Sequence, residues 1–230
     1  MQKGFYQSKS TVISLLCSVL FFVICGCTES VRKVNYINDD VTALQSPSPK
    51  GDISSLKKKS VQELVTTGFI YLANRNLKIA ELHFATAIDK DPKAVDAFIG
   101  LGRTEMVKGN YNGALVGFTK ARELQPDSVQ ALVGEAQALR SEGKLNAATI
   151  RVNEAMTVAP EDINVLKELA MIYDLMGKEN LSAQLYLEIV EKTPDQAAGH
   201  NNLGLNYMVR GEYPEAILSF LQALDLDRNN

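Results

Sequence analysis

The chain has 230 residues, of which 46% are hydrophobic and 22% are charged, so it is long enough and apolar enough for one or two globular domains. Its formal net charge is −3, and removal of Lys3 and Lys9 with an N-terminal leader would make the remainder two charges more acidic. A protein whose main ligand is nucleic acid needs a basic face, so this composition argues against that class.

The first 26 residues have the organisation of a secretory signal peptide. Lys3 and Lys9 give a basic start, and an apolar run follows over residues 12–25. The run is shorter than the roughly 20 residues that span a bilayer. An uncleaved N-terminal anchor is the alternative interpretation.

The end of this segment, Ile24-Cys25-Gly26-Cys27, resembles a bacterial lipobox. The resemblance implies that Cys27 receives diacylglycerol and becomes the mature N-terminus. Thr28, where an aspartate would imply retention in the inner membrane, implies a lipid-anchored protein on the periplasmic face of the outer membrane of a Gram-negative bacterium. In the alternative, the segment is an ordinary signal peptide and Cys27 is incidental.

Few residues carry the chemistry of a catalytic or metal site. All three cysteines lie within the first 27 residues, and the two histidines, His83 and His200, have no metal-ligand spacing around them. A phosphate-binding glycine loop of the G-x-x-x-x-G-K form is also absent from the sequence. We therefore predict a non-enzymatic protein without a metal or cofactor.

Residues 27–60 are predicted to be the lipidated cysteine followed by a flexible tether. They are polar and contain Ser46-Pro47-Ser48-Pro49. A flexible segment of about 32 residues has a root-mean-square span of roughly 30 Å, enough to hold a domain just off a lipid surface. Ser60 and Glu63 then have the form of a capping box, so helical structure is expected to begin there.

From residue 61 onwards the sequence repeats every 34 residues. Prolines mark the period at Pro92, Pro126, Pro160 and Pro194. Apolar residues within each unit recur with helical spacing on two segments, which a break separates, so each unit is predicted to be a helical hairpin. The five units are 61–94, 95–128, 129–162, 163–196 and 197–230.

The residues within each unit resemble the tetratricopeptide repeat, whose pattern alternates large and small side chains. The first unit carries the pattern in Leu64, Gly68, Tyr71, Ala80, Phe84, Ala87 and Pro92. Departures include Glu105 at an aromatic position, Ser182 and Ile189 in place of two alanines, and Arg228 in place of the last proline. Glycines at the hairpin turn recur in four units, and Arg75 takes this place in the first. The resemblance implies an all-α solenoid.

A solenoid of such hairpins presents the first helix of each unit on its concave side, where positions 2, 5, 9 and 12 form the expected binding groove. The predicted groove residues are Val65, Phe69, Leu72, Ile99, Arg103, Met106, Arg140, Lys167, Met171, Asn201, Leu205 and Met208. An apolar trough with three cations suits an extended or helical protein segment that carries acidic charge. Alternatively, several of the apolar members only cover the core.

The layout of leader, tether and array resembles the TadD-type lipoproteins of tight-adherence (Flp) pilus assembly, particularly over residues 201–205 and 223–230. The resemblance implies an outer-membrane-anchored adaptor that binds secretin or other pilus-assembly subunits. A type IV pilus pilotin and a generic periplasmic scaffold are the alternatives. Because no polar cap follows the fifth unit, the last helix is expected to pack on a partner or on another copy, unless the chain is part of a longer protein.

Overall fold

The computed structural model describes residues 56–228, which form ten α-helices in five consecutive hairpins. The predicted all-α solenoid is confirmed. Helices A and B of the successive repeats are α1 (Val61–Ala73), α2 (Leu77–Lys90), α3 (Val95–Lys108), α4 (Tyr111–Leu124), α5 (Val129–Ser141), α6 (Leu145–Val158), α7 (Ile163–Leu175), α8 (Glu179–Lys192), α9 (Ala197–Val209) and α10 (Tyr213–Arg228). Each helix A begins at the first residue of a predicted unit.

The predicted signal peptide, the lipidation site Cys27 and the tether up to residue 55 lie outside the described residues. Residues 56–60 pack on the first repeat, where Leu56 is buried with the core and Lys90 donates to the carbonyl oxygens of Lys57 and Lys59. Among the described helices, none combines the length and the apolar character that crossing a membrane requires.

Side-chain caps start three of the five A helices. Ser60 Oγ accepts from the backbone N–H of Glu63 at 3.2 Å, and the Glu63 carboxylate accepts from the backbone N–H of Ser60 at 2.7 Å, which confirms the predicted capping box. These hydrogen bonds hold the pKa of Glu63 below its ordinary value. Ser128 and Asp162 cap α5 and α7 at the same point of the repeat.

Every helix A is followed within two residues by a residue of left-handed conformation. Gly109, Gly143, Gly177 and Gly211 have φ angles of 67° to 79°, and Arg75 has φ 60° at the equivalent point. The following amide then donates to a carbonyl in the last turn of the helix, as Asn110 N does to Glu105 O at 2.9 Å. The turn therefore stops each helix A in the same way and returns the chain as helix B.

An aromatic ring from helix B fills the space between successive A helices in the first two repeats. Phe84 is fully buried, and a Cβ added at Gly68 or Gly100 would lie only 2.6 or 2.3 Å from its Cε1 atom. Phe118 lies in the same way against Gly102 and Gly134. The absence of side chains at these glycines therefore sets the close approach of the helices.

The A helices lie on the inner side of the curve. Helix α1 contacts α3, α3 contacts α5, and α5 contacts α7, whereas no two B helices within residues 56–228 contact each other to a similar extent. Elements that approach one another more closely than their neighbours lie inside a bend. The surface of the A helices is therefore the concave face, as the repeat pattern predicts.

Candidate functional site

Three amide side chains, a guanidinium group and the carboxylate of Asp162 line a hollow of about 330 Å³ in the middle of the concave face. Gln130 and Gln137 come from α5, Asn164 comes from the first turn of α7, and Arg103 comes from α3. Gly134 forms part of the lining, and its missing side chain lets the buried Phe118 ring of the second repeat approach α5 closely. The hollow is therefore polar at its rim and apolar at its base.

The amide groups suit recognition of a peptide main chain. Each carboxamide presents one acceptor oxygen and two donor hydrogens, which match the C=O and N–H groups of an extended segment. The sequence prediction did not name Gln130, Gln137 and Asn164, although they stand at positions 2, 9 and 2 of their units, which the repeat pattern assigns to the groove. The offset between α5 and α7 brings the three side chains around one hollow.

Arg103 is exposed and lies at the edge of this hollow. Its guanidinium carbon is 5.6 Å from the centre of the Phe69 ring, and that ring meets Phe84 edge-on with 5.0 Å between the centres. Nη2 of Arg103 is 3.5 Å from Oε1 of Gln130. The cation–π contact therefore holds the Arg103 guanidinium over the Phe69 ring. Its predicted role in binding stays a prediction.

Arg140, the second predicted cation of the groove, is engaged by a buried carboxylate. Its Nε donates to Glu168 Oε1 at 2.7 Å and its Nη2 to Glu168 Oε2 at 3.3 Å. Glu168 is 1% exposed, so the pair joins α5 to α7 beneath the groove surface. The charge of Arg140 is therefore balanced inside the protein and contributes little to the field that a ligand meets.

A polar cluster joins the fourth and fifth repeats. Asp174 on α7 accepts from the Tyr186 hydroxyl at 2.7 Å and from Asn206 Nδ2 at 3.0 Å, and Asn206 also donates to Ser182 Oγ at 2.8 Å. Burial and the hydrogen bond to Asp174 raise the pKa of Tyr186, so its hydroxyl stays protonated and donates. Ser182, an expected irregularity of the fourth repeat, thus serves a hydrogen-bond network that a buried alanine could not join.

The structure separates the predicted groove residues by burial. Val65 and Ile99 are 5% and 2% exposed, so they form the base beneath the groove and offer little surface to a ligand. Arg103 and Leu205 are exposed. The half-buried residues are Phe69, Leu72, Met106, Arg140, Lys167, Met171, Asn201 and Met208.

Both histidines bond to backbone carbonyls. His83 Nδ1 lies 2.8 Å from the carbonyl oxygen of Ile79, and His200 Nε2 lies 3.0 Å from that of Pro194. In the part of the chain that the structure describes, no three histidine, cysteine or acidic side chains are grouped so that they could hold a metal ion. His200 therefore bonds to the loop before its helix, and the His83 ring also contacts the Tyr71 ring of α1, with 5.1 Å between the centres.

Two segments of the chain match family profiles described as tetratricopeptide repeat, at residues 68–118 and 197–230. These segments include parts of the first and second repeats and the whole of the fifth. No curated protein matches the sequence.

Solved structures share the fold. A thermophilic repeat protein of Thermus thermophilus is 20% identical, with a TM-score of 0.66 over 73% of this chain and 91% of its own. PilF of Pseudomonas aeruginosa is 18% identical, with a TM-score of 0.64 over 75% and 77% of the two chains. YrrB, described as having an unusual peptide-binding site, is 18% identical, with a TM-score of 0.53 over 77% and 91%. At these identities the similarity shows the fold alone.

Proposed function

We propose that this tetratricopeptide repeat protein is an adaptor that holds an extended segment of a partner protein in its concave groove. The amide-lined hollow carries the proposal, because Gln130, Gln137 and Asn164 suit recognition of a peptide main chain. The partner segment then lies along the A helices, and its main-chain amides pair with these three side chains. YrrB, with its peptide-binding site, offers a precedent within the fold.

The groove is tested by placing a photoreactive benzoylphenylalanine at Gln137, inside the hollow, in cells that produce the full chain. The matched control is Gln184, an exposed glutamine on α8. We expect a discrete crosslinked partner from position 137 and none from position 184. Equal crosslinking at both positions, or none at 137, would contradict binding in the groove.

We further propose that the protein is anchored in the outer membrane and faces the periplasm. The basic leader and the lipobox-like Ile24-Cys25-Gly26-Cys27 support this location. The Cys27→Ser variant should lose labelling by radioactive palmitate and leave the membrane fraction. Retained labelling would show that Cys27 is not the acceptor.

More specifically, we propose that the protein helps to assemble a tight-adherence pilus. Its support is the resemblance of residues 201–205 and 223–230 to TadD-type lipoproteins, together with a groove that suits a segment of a secretin or pilus subunit. Deletion of the gene should abolish detergent-resistant multimers of the tight-adherence secretin. Normal multimers and pili would contradict it, and loss of a type IV pilus secretin instead would indicate the pilotin role.

A further inference from the structure

A second cavity of about 620 Å³ lies outside the concave groove, between the B helices of the first two repeats. Phe98 and Leu101 of α3 form its floor, and Leu115, Val116 and Thr119 of α4 form one wall. Val116 is 72% exposed at its edge. The cavity shares no lining residue with the concave hollow.

The cavity exists because the second repeat departs from the pattern at three places. Glu105 stands where the first, fourth and fifth repeats have tyrosine, and Gly113 and Gly117 stand where the others mostly have larger side chains, such as Ile79 and His83 in the first repeat. All three residues line the cavity. At Gly117 a Cβ would lie 2.8 Å from the backbone nitrogen of Gly102, so that glycine also allows α3 and α4 to pack closely.

Carboxylates outnumber cations at one end of the cavity. Glu81 and Glu105 both accept from Lys108 Nζ at 2.7 Å, so two negative charges share one positive charge. Glu123, which also lines the cavity, pairs instead with Lys120 at 2.9 Å, so its charge is balanced by a cation of its own. The end near Glu81 therefore keeps an excess of negative charge that complements a cationic side chain.

We propose that this outer cavity binds a second protein segment, which carries a large apolar side chain directly followed by arginine or lysine. The apolar side chain fills the space above Phe98 and Leu101, and the cation lies against the Glu81–Glu105 cluster. A cavity of this size, with few polar groups at one end, has the form of sites that hold one or two bulky side chains. The protein then holds two segments at once, one on each face.

The absence of tryptophan from the chain allows a direct test by fluorescence. The probe is the capped tripeptide leucyl-tryptophanyl-arginine amide, titrated with the full chain in detergent against a detergent-only blank. We expect the tryptophan fluorescence anisotropy of this probe to rise to a plateau as the protein is added. The tripeptide in which glutamate replaces arginine should bind at least tenfold more weakly. Absence of saturable binding, or equal binding of the glutamate tripeptide, would overturn the proposal.

Two pairs of variants locate the binding. Thr119→Phe fills the cavity, and Asn153→Phe makes the same change at the matching place in the third repeat, where the side chain is exposed. Val116→Asn and Ile150→Asn form a second pair at two exposed positions, of which only Val116 lines the cavity. Thr119→Phe and Val116→Asn should weaken binding at least tenfold while their controls bind as the unaltered chain does. Unchanged binding by both cavity variants would overturn the proposal.

Discussion

At the scale of single residues, the size of the residue at position 6 of helix A varies inversely with that of the residue on the preceding helix B in the second, third and fourth repeats. Gly100 and Gly134 occupy this position in the second and third repeats. Because they have no side chain, the rings of Phe84 and Phe118 can lie directly against them. In the fourth repeat the position holds Glu168, and the preceding helix B carries Val152 in place of phenylalanine. Glycine on helix A thus accompanies phenylalanine on the preceding helix B, whereas the larger glutamate accompanies the smaller valine.

Gly134→Ala should destabilise the protein by about 1–3 kcal/mol, because the new Cβ would lie 2.5 Å from the Phe118 ring in a filled core. Gly199→Ala is the matched control, since its Cβ would meet only methyl groups at 3.4 Å. That change should leave stability unaltered or raise it by up to about 1 kcal/mol. Urea unfolding followed by circular dichroism measures both, and equal effects would contradict this account.

His83 should make stability depend on pH near neutrality. Burial, with a smaller effect of Lys59, lowers the pKa of His83 below its ordinary value of 6.5, against the opposing effect of its bond to Ile79. The unfolded chain therefore takes up this proton more readily, so the folded state loses stability as pH falls below about 6.5.

The comparison variant is His83→Leu, because leucine occupies the same place in the fourth repeat as Leu185. Between pH 7.5 and pH 5.5 the urea midpoint of the unaltered protein should fall further than that of the variant. The titration of the carboxylates is common to both proteins and cancels in the comparison. If the urea midpoints of the two proteins fall by the same amount over this pH range, His83 does not contribute to the pH dependence of stability.

At the scale of helices, the contact between α5 and α7 depends on a charged pair as well as on apolar packing. Arg140 reaches across from the last turn of α5 to Glu168, which is almost fully buried. Removing one member of such a pair leaves a charge without compensation inside the protein. The pair therefore links the third and fourth repeats on the floor of the binding face.

Arg140→Leu should cost about 3–5 kcal/mol of unfolding free energy, and the double change with Glu168→Leu should recover most of that loss. The exposed pair of Lys120 and Glu123 is the control, and Lys120→Ala should cost less than about 1 kcal/mol. A double-mutant cycle by urea unfolding checks both values. Additive effects at Arg140 and Glu168 would contradict the coupling.

At the scale of the whole molecule, the 34-residue period sufficed to predict the fold. The start of each helix A and the left-handed turns, Arg75 included, depend on residues within one repeat. The pairing of Arg140 with Glu168 and the hollow around Gln137 depend on the offset between neighbouring repeats, which a repeat pattern does not contain. The departures at Glu105, Gly113 and Gly117 are visible in the sequence, but the outer cavity that they leave is seen only in the structure.

The predicted self-association through the last repeat concerns the exposed face of α10. Ile217, Leu218, Leu221 and Leu224 are 41–68% exposed there and share one side of the helix. An antiparallel pair of α10 helices from two copies, centred on Leu221, would therefore place the two Leu221 side chains against each other and Leu218 opposite Leu224 of the other copy.

The full chain in detergent should accordingly form a concentration-dependent dimer in sedimentation velocity. Leu221→Glu should weaken this dimer at least tenfold, because the charge would be buried at the centre of the pair. Ile150→Glu provides the control, since Ile150 on α6 is 54% exposed and Leu221 is 55% exposed. A monomer at every concentration, or equal effects of the two changes, would assign the α10 face to a different partner.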